Sequence, residues 1–356
     1  MRGKKVFVGM SGGVDSSVAV ALLVEQGYGV TGVYMKNWSR DLPGMKCPWA
    51  EDLADAKRVA VQLGIDFEVW DFEKEYREKV VEYMVEEYRA GRTPNPDIMC
   101  NQEVKFGLFY RLAMERGADF IATGHYARVA KSSTSGRNLL MRAVDEKKDQ
   151  TYFLYRVTGE ALRRTLFPIG DYKKSEVREM AKERGLATAN RKESMGVCFV
   201  GNVGIREFLG DYMEKKAGEI RDVKTDEVVG EHDGAVFYTI GQRHGLGLGG
   251  GLPYYVTNKD IEKNIVYVSR DLNERGLWRK EVRLVGAHWI NSSADELSGV
   301  KLSVRVRHQA PLVGAEVVCD EQGWTVRFDE EQRAMTAGQS VVVYDGEMCL
   351  GGGIIG

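Results

Sequence analysis

The sequence predicts an α/β fold with two smaller β-rich units behind it. Up to about residue 205, short β-rich runs alternate with segments of helical periodicity, which is typical of a parallel sheet covered by helices. Beyond that point the helical periodicity fades and glycine-punctuated β runs follow; after about residue 280 they become short and alternating. We therefore predict an α/β domain at 1–205, a central β-rich domain at 206–280 and a C-terminal β-barrel domain at 281–356.

The first domain has four predicted strands, and these place its ligand site. The apolar runs lie at 6–10, 30–35, 67–70 and 120–123, and helices are predicted at 53–63 and 74–90, where Gly64 and Gly91 end them. Ligands of parallel sheets bind at the carboxyl ends of the strands. Met35 and Gly124 stand at two such ends, so both are predicted to line the site.

Composition excludes several classes of protein. With 356 residues the chain exceeds what one core organises, and its 43% hydrophobic and 29% charged content is that of a soluble globular protein. No apolar run approaches the ~20 residues of a membrane span, and no signal-peptide pattern precedes the first strand. We therefore expect a cytoplasmic protein without membrane association. A net charge of −2 argues against non-specific nucleic-acid binding as the main activity but leaves room for a local basic surface.

A glycine loop follows the first strand directly. Residues 10–17 read Met-Ser-Gly-Gly-Val-Asp-Ser-Ser and lead into an apolar helical stretch. Gly12 and Gly13 let backbone N–H groups approach an anion, and the N-terminus of the following helix adds partial positive charge. Asp15 or Ser16 is expected to cap that helix. A Walker loop, G-x-x-x-x-G-K-[ST], would carry a lysine that this loop lacks, so the sequence predicts a phosphate site of another kind.

The five cysteines, at 47, 100, 198, 319 and 349, show neither a C-x-x-C pair nor a zinc spacing. Cys100 and Asp97 lie in the segment 93–101, whose two prolines predict a stiff loop without regular helix. A reactive thiol needs a nearby cation or a helix N-terminus, and Lys105, Arg191 and Lys192 are the cations close in sequence to Cys100 and Cys198. The other three cysteines are predicted to be structural.

Six motifs in a fixed order resemble one family. They occupy 10–17, 91–97 with Cys100-Asn101, 122–128, 148–154, 196–199 and 238–246. The first alone resembles the S-G-G-x-D-S loop of ATP pyrophosphatases, and together the six resemble the bacterial tRNA-specific 2-thiouridylases over the whole chain. The resemblance implies a Rossmann-like adenine nucleotide α-hydrolase (PP-loop) domain that uses ATP. It also implies replacement of the 2-oxygen of a wobble uridine by sulfur, with release of AMP and pyrophosphate. The phosphate charge on the departing oxygen predicts Mg²⁺ as well.

The resemblance also assigns site residues. ATP would be bound by Met35, Gly124 and the loop residues Gly9, Met10, Ser11, Gly12, Gly13, Val14, Asp15 and Ser16. The target base would meet Asn95, Pro96 and Asp97. Cys198 would carry a persulfide, and Cys100 would attack it and can close a disulfide. One departure is visible: Met195 precedes Gly196 where a small hydroxyl residue is expected, which bears on a hydrogen bond there and not on the sulfur chemistry.

Partners follow from the same resemblance: the anticodon arm of a tRNA, and a persulfide-donating sulfur carrier or a cysteine desulfurase. In the segment 301–308, alternation predicts that Lys301, Arg305 and Arg307 share one face of a strand over apolar backing. These three cations either form a solvated strand face or contact the phosphates of a nucleic acid. The residues predicted to contact tRNA are Asp149, Gln150, Thr151, Gln242, Arg243, Arg305, Val306, Arg307 and His308.

The residue types suit this chemistry, and several roles stay open. A urea-like oxygen leaves poorly, so adenylylation prepares it for attack by sulfur, and a second thiol can cleave a persulfide by exchange. Asp97 either accepts the uridine N–H proton or recognises the base, and His125 either orients catalytic groups or is a satisfied core residue. Three other readings remain: an ATP-dependent amide-forming synthetase, an RNA-binding module with a relic loop, and an iron–sulfur cluster on Cys100, Cys198 and Asp97, which offer fewer than the usual four thiolates.

Overall fold

The computed structural model of the chain describes residues 3–41, 47–133, 136–192, 205–292 and 294–356. Five parallel strands form the first sheet, in the order β3-β2-β1-β4-β7. The strands of this part of the chain are β1 (Lys5–Gly9), β2 (Gly29–Lys36), β3 (Asp66–Asp71), β4 (Phe120–Thr123), β5 (Ala127–Lys131), β6 (Asn138–Arg142) and β7 (Thr165–Leu166). The predicted α/β domain is confirmed, and each of its four predicted strands is present.

Helices cover both faces of this sheet. The helices described in this part of the chain are α1 (Val14–Glu25), α2 (Trp49–Gln62), α3 (Glu73–Tyr76), α4 (Glu82–Arg89), α5 (Pro96–Met99), α6 (Tyr110–Glu115), α7 (Thr151–Leu154), α8 (Gly159–Arg163), α9 (Lys174–Glu183) and α10 (Ile205–Leu209). Two π-helical segments, Arg77–Val81 and Cys100–Phe109, join α3 to α4 and α5 to α6. Gly64 and Gly91 follow α2 and α4 with φ of +64° and +75°, as their role in ending the helices requires.

The expectation that 93–101 excludes helix was wrong. The helix begins at Pro96 and runs without a break through α5, the π-helical segment and α6. Proline is tolerated there because the first helical position needs no N–H donor. The Asn95 side chain accepts hydrogen bonds from the backbone N–H groups of Asp97 at 3.2 Å and Ile98 at 3.3 Å. The stiffness of this segment therefore comes from a capped helix.

The two remaining units are sheets. β8 (Gly218–Asp222), β9 (Val228–His232), β10 (Tyr255–Asp260) and β11 (Ile265–Ser269) pair in the order β10-β11-β8-β9. The last unit contains α11 (Ala294–Leu297) and six strands, β12 (Trp278–Trp289), β13 (Val300–Arg305), β14 (Val313–Asp320), β15 (Gly323–Arg333), β16 (Ser340–Asp345) and β17 (Met348–Ile355). Because β12 pairs with both β15 and β17, these six strands close into the predicted barrel.

The first domain contributes strands to the barrel's sheet. β5 and β6 form a hairpin, and β6 pairs with β17 through Met141 opposite Met348 and Leu140 opposite Cys349. The eight-stranded sheet thus crosses from one domain into another. The barrel is therefore fixed to the first domain by backbone pairing as well as by side chains.

The predicted cationic face of the segment 301–308 is not formed. β13 ends at Arg305, so Arg307 lies beyond the strand. Lys301 is exposed, whereas Arg305 is only 5% exposed. The alternation of residues along the strand did not predict their exposure, because the first domain covers this end of the barrel and buries Arg305, the last residue of β13.

Candidate active site

The phosphate loop connects β1 to α1 and is packed too closely for side chains at its glycines. Gly12 has φ of +74°, and a Cβ there would lie 2.3 Å from the carbonyl oxygen of Asp52 in α2. Gly13, in extended conformation, is the N-cap of α1. A Cβ on Gly9 would lie 2.9 Å from Cε of Met35, which places Met35 beside the loop. The loop therefore depends on glycine for both its conformation and its approach to neighbouring backbone.

Serine hydroxyls brace the loop from inside. The expected capping of α1 by Asp15 or Ser16 is wrong, because no side chain caps this helix within the described structure. The hydroxyls of Ser16 and Ser17 instead donate to the carbonyl oxygen of Gly13, at 3.2 and 2.7 Å. The backbone N–H of Ser11 donates to Oγ of Ser16 at 3.2 Å. These hydroxyls hold the turn, and the N–H groups of the first turn of α1 face the loop.

Charged side chains from distant segments converge on the loop. Lys174 donates from Nζ to both oxygens of Asp15, at 2.7 and 2.8 Å, and the hydroxyl of Tyr126 donates to Asp15 Oδ1 at 3.0 Å. Arg191 donates to the carbonyl oxygen of Gly12 at 2.9 Å and forms ion pairs with two carboxylates of α2, those of Asp52 and Asp55. The sequence suggested Arg191 and Lys192 as cations that could activate a cysteine thiol. In the structure Arg191 is hydrogen-bonded to the phosphate loop, and Lys192 is exposed.

Gly124 completes the edge of the site, directly after β4. A Cβ on Gly124 would lie 2.7 Å from the backbone nitrogen of Ser16 in the first turn of α1.

We expect Gly124→Ala to weaken ATP binding roughly tenfold or more, because overpacking costs ~1–3 kcal/mol and here displaces the loop backbone. Equilibrium titration with ATP measures it. Gly249→Ala, at a glycine with open space around it, is the control, and equal affinities of the two variants would contradict the prediction.

Cys100 lies at the start of the π-helical segment and is fully buried. Burial raises the pKa of the Cys100 thiol; the positive charge of Lys105 acts to lower it, and the carboxylate of Asp97 acts to raise it. Lys105 follows Cys100 by five residues, the spacing of π-helical hydrogen bonds, so it lies one turn further on the same side. The helix geometry thus places a cation beside this thiol.

His125 belongs to the same region and is a buried, neutral histidine. Its Nδ1 lies 2.7 Å from Oγ1 of Thr123, and its ring packs against Phe106 and Phe167 with centroids at 5.8 and 6.2 Å. Burial, followed by the charge of Lys105, holds the pKa of His125 well below its usual value. At neutral pH its ring nitrogens therefore act as one donor and one acceptor.

Asp149 is paired inside the protein. Its carboxylate, fully buried, lies 2.8 Å from Nη1 of Arg305, and it accepts hydrogen bonds from the hydroxyl of Thr151 at 2.9 and 3.0 Å. Arg142 lies 3.7 Å away. The structure thus joins three residues predicted to contact tRNA in one buried cluster between the first domain and the barrel. Their contact with tRNA stays a prediction.

Gln150 connects this cluster to the phosphate loop. Its side-chain Oε1 accepts from the N–H of Tyr126 at 2.9 Å, and its own N–H donates to the carbonyl oxygen of Tyr126 at 2.9 Å. Tyr126 in turn contacts Asp15. Neither Tyr126 nor Lys174 was predicted as a site residue, because each meets the loop from more than a hundred residues away and no local pattern carries that information.

The other predicted RNA contacts lie on loops around these elements. Gln242 accepts from the N–H of Thr239 at 3.0 Å and donates to the carbonyl oxygen of His244 at 2.9 Å, so it shapes its own loop, while Arg243 is exposed. Arg307 donates to the carbonyl oxygens of Arg333, the last residue of β15, and of Ala334, which follows it, at 3.2 and 3.0 Å. Val306 is partly buried, and the ring of His308 packs at a tilt against that of Phe153, with the ring centroids 4.4 Å apart.

The segment 91–97 stands where the three units meet. Thr93 donates from its N–H to the carbonyl oxygen of Ala337 in the barrel at 2.8 Å, and its hydroxyl lies 3.2 Å from that of Thr239 in the central unit. Asn101, next to Cys100, donates to the carbonyl oxygen of Phe153 at 3.2 Å. Cys198 and Met195 lie outside the described residues, so this geometry covers one of the two predicted catalytic thiols.

Family comparisons match the chain in three consecutive parts. Residues 4–202 match a family described as tRNA methyl transferase HUP domain, residues 206–270 its PRC-barrel domain, and residues 279–355 an aminomethyltransferase beta-barrel domain. Among solved structures, a 4-thiouridine synthetase in complex with RNA and ATP shares 18% identity over 58% of this chain and 50% of its own, with a TM-score of 0.37. That similarity is too weak to bear on function.

Curated relatives match almost the entire chain. A protein of Bacillus subtilis named tRNA-specific 2-thiouridylase MnmA is 47% identical over 356 residues, covering 99% of this chain and 94% of its own. A protein of the same name from Bacillus cytotoxicus is 47% identical over 353 residues, with the same coverage. The chain therefore belongs to the tRNA-specific 2-thiouridylase family.

Proposed function

We propose that this chain is a tRNA-uridine 2-sulfurtransferase that replaces the 2-oxygen of a wobble uridine by sulfur in an ATP-dependent reaction. The observation that carries the proposal is the 47% identity over 99% of the chain to a protein named for this activity. The phosphate loop and the buried thiol of Cys100, which lie in one domain, support it. The reaction falls into two steps, activation of the oxygen and transfer of sulfur.

In the first step the loop from Gly9 to Ser16 holds the phosphates of ATP, and the uridine oxygen attacks the α-phosphorus. Pyrophosphate leaves, and the oxygen becomes part of an AMP ester, a good leaving group. Met35 and Gly124 line the nucleotide pocket. Backbone N–H groups at the start of α1 stabilise the charge that develops on the phosphates.

The residues present fit Mg²⁺ delivered with ATP. Magnesium in nucleotide sites is bound by one or two carboxylates together with substrate phosphates, and Asp15 is a carboxylate of the loop whose side chain is partly exposed. Within the described residues no group of three or more His, Cys, Asp or Glu side chains is placed to hold a metal by itself. When bound, Mg²⁺ would neutralise charge on the departing pyrophosphate.

In the second step Cys198 carries the sulfur as a persulfide. The Cys100 thiolate attacks Sγ of Cys198, a Cys100–Cys198 disulfide forms, and the outer sulfur leaves as hydrosulfide with the bonding electron pair. Hydrosulfide adds to C2 of the adenylylated uridine and expels AMP. A thiol reductant and a persulfide donor, either a sulfur carrier or a cysteine desulfurase, restore the enzyme. Asn95, Pro96 and Asp97 receive the base, and Asp97 recognises it or accepts its N–H proton.

The substrate is the anticodon arm of a tRNA, whose wobble base must leave its stack to reach Cys100. Gln242, Arg243, Arg307 and His308, on loops of the central unit and the barrel, are proposed to bind it. No helix among the described residues combines the length and apolar character of a membrane span. We propose that the enzyme acts in the cytoplasm.

The test is mercury-gel retardation of unmodified wobble-uridine tRNA after incubation with ATP, Mg²⁺ and a persulfide donor. We expect a shift with wild-type protein and none with Cys198→Ala, because alanine cannot hold a persulfide, while both release pyrophosphate when tRNA is added. Cys319→Ala, at a partly exposed cysteine, is the control and should behave as wild type. Full thiolation by Cys198→Ala, or a wild type that consumes no ATP with tRNA present, would refute the proposal.

A further inference from the structure

The central unit carries a cleft between its glycine-rich loop and the chain that leads into β10. The cleft has a volume of about 220 Å³ and is lined by residues of the segments 243–248 and 253–254. Leu246, which is 6% exposed, lines its bottom and belongs to the hydrophobic core, and Leu248 packs against that core beside it. The cleft therefore has an apolar floor that is anchored to the interior of the protein.

Tyr254 is the aromatic residue of the cleft, and two contacts hold its ring in place. The side chain packs against the same core, and the guanidinium group of Arg270 lies 4.4 Å from the ring centroid. Arg270 is itself fixed, because it donates to the carbonyl oxygen of Gly250 at 2.8 Å. Since Arg270 is not among the described residues that line the cleft, it supports the ring from outside. A ring that is already in position loses little entropy when a ligand stacks on it.

The surroundings of this ring are positively charged. Arg243 and His244 are exposed at the rim of the cleft, and Arg270 lies behind Tyr254. Among the described residues, none of those that line the cleft is acidic. Proteins that bind single-stranded nucleic acid combine the same two elements, cations that follow the phosphates and an aromatic ring on which a base stacks.

The size and position of the cleft narrow the choice of ligand. Clefts that hold drug-sized molecules occupy ~300–1,000 Å³, so this one suits a smaller planar group, such as a single base. Its segment begins beside the proposed target-base site, because the hydroxyl of Thr239 lies 3.2 Å from that of Thr93. Arg243 follows Thr239 by four residues, which span at most ~14 Å of chain. An RNA bound at 93–97 therefore reaches the cleft with a nearby nucleotide.

We propose that this cleft binds one unstacked nucleobase of the substrate tRNA, other than the target uridine, by stacking it on Tyr254. The inference rests on the proposed function, since it presupposes that the chain binds tRNA. Sequence-specific recognition of RNA uses bases that are splayed out and stacked on aromatic or arginine side chains. The cleft thus adds a second base-binding site to the one at 95–97, and with it a second point at which the enzyme distinguishes its tRNAs.

The experiment separates stacking of a base from attraction to phosphates. Filter binding measures the dissociation constant of unmodified tRNA at a series of salt concentrations. We expect Tyr254→Leu, which keeps an apolar side chain against the core, to weaken binding by roughly five- to a hundredfold with an unchanged salt dependence. Tyr254→Phe keeps the ring and should bind within about twofold of wild type. Arg243→Met shows the contrasting behaviour of a phosphate contact, a slope of log affinity against log salt that falls by about one.

Tyr255→Leu is the matched control. Tyr255 is the next residue and also has an arginine against its ring, Arg333 at 5.6 Å from the centroid, but it does not line the cleft within the described structure. This variant should bind tRNA within about twofold of wild type. Ultraviolet cross-linking of the wild-type complex needs no variant, and it should attach a nucleotide to Tyr254.

Wild-type affinity in Tyr254→Leu, an equal loss in Tyr255→Leu, or cross-links confined to other residues would each overturn the inference and leave the proposed function standing. So would a loss in Tyr254→Leu that comes with a reduced salt slope, since that is the signature of a phosphate contact. A wild-type protein that does not bind tRNA would overturn the proposed function and the inference with it. The wild-type measurement thus distinguishes the two failures.

Discussion

Replacement of Cys100 by alanine is expected to lower the rate of 2-thiouridine formation by roughly a thousandfold or more, the size of effect that follows loss of a nucleophile. The variant should still bind tRNA and release pyrophosphate when tRNA is present, because the phosphate loop is untouched. The product is measured in a single turnover with enzyme preloaded with persulfide. A matched control is Cys349→Ala, at another buried cysteine.

The pH dependence of the wild-type reaction is a second test of Cys100 as the nucleophile. Burial raises the pKa of the Cys100 thiol, so only a small fraction is thiolate near neutral pH. The single-turnover rate should therefore rise with pH, by up to about tenfold per unit, for as long as the pH stays below that pKa. A rate that does not change with pH, or a Cys100→Ala rate within tenfold of the wild-type rate, would show that Cys100 is not the nucleophile that releases the sulfur.

Arg305→Met is expected to destabilise the protein by about 3–5 kcal/mol, because it leaves the carboxylate of Asp149 buried without its partner 2.8 Å away. Arg142, at 3.7 Å, compensates only in part. Urea unfolding followed by the fluorescence of barrel tryptophans measures the change. Removing both charges, with Asp149→Asn in addition, should cost less than the sum of the single changes, since the two groups form one interaction.

An exposed ion pair of the same barrel provides the comparison. Arg327 and Glu281 lie 3.4 Å apart with side chains 52% and 62% exposed, so Arg327→Met should change stability by less than about 1 kcal/mol. If Arg305→Met were no worse than Arg327→Met, the buried cluster would not hold the barrel to the first domain. Filter binding of tRNA to the folded fraction of Arg305→Met then tests the separate prediction that Arg305 contacts RNA.

Local sequence patterns were sufficient to predict the α/β domain, the barrel and the phosphate loop, because glycine turns and apolar periodicity are local properties of the sequence. The helix from Pro96 to Glu115 was missed for a local reason too: a proline was interpreted as a breaker where it begins a helix. The π-helical register that aligns Lys105 with Cys100 has no comparable sequence signal.

The ion pairs between distant residues could not be predicted from the sequence, for a different reason. The partner of Asp15 lies 159 residues away and that of Asp149 lies 156 residues away, and neither position is marked by its neighbours. The sequence therefore predicted Arg305 and Asp149 as separate tRNA contacts, whereas in the folded protein the two side chains form an ion pair. Burial is a property of the assembled domains, and alternation along one strand does not report it.

The pairing of β6 with β17 also constrains how the chain acquires its structure. The two strands are separated by about two hundred residues, so this contact belongs to the slow, non-local class in folding. During synthesis on the ribosome, the β5–β6 hairpin emerges long before the strand that will cover it. Its outer edge then offers unpaired N–H and C=O groups, a template for pairing with other chains. Pairing of β6 with β17, once β17 has been synthesised, is therefore also the step that protects this edge of the first domain from aggregation.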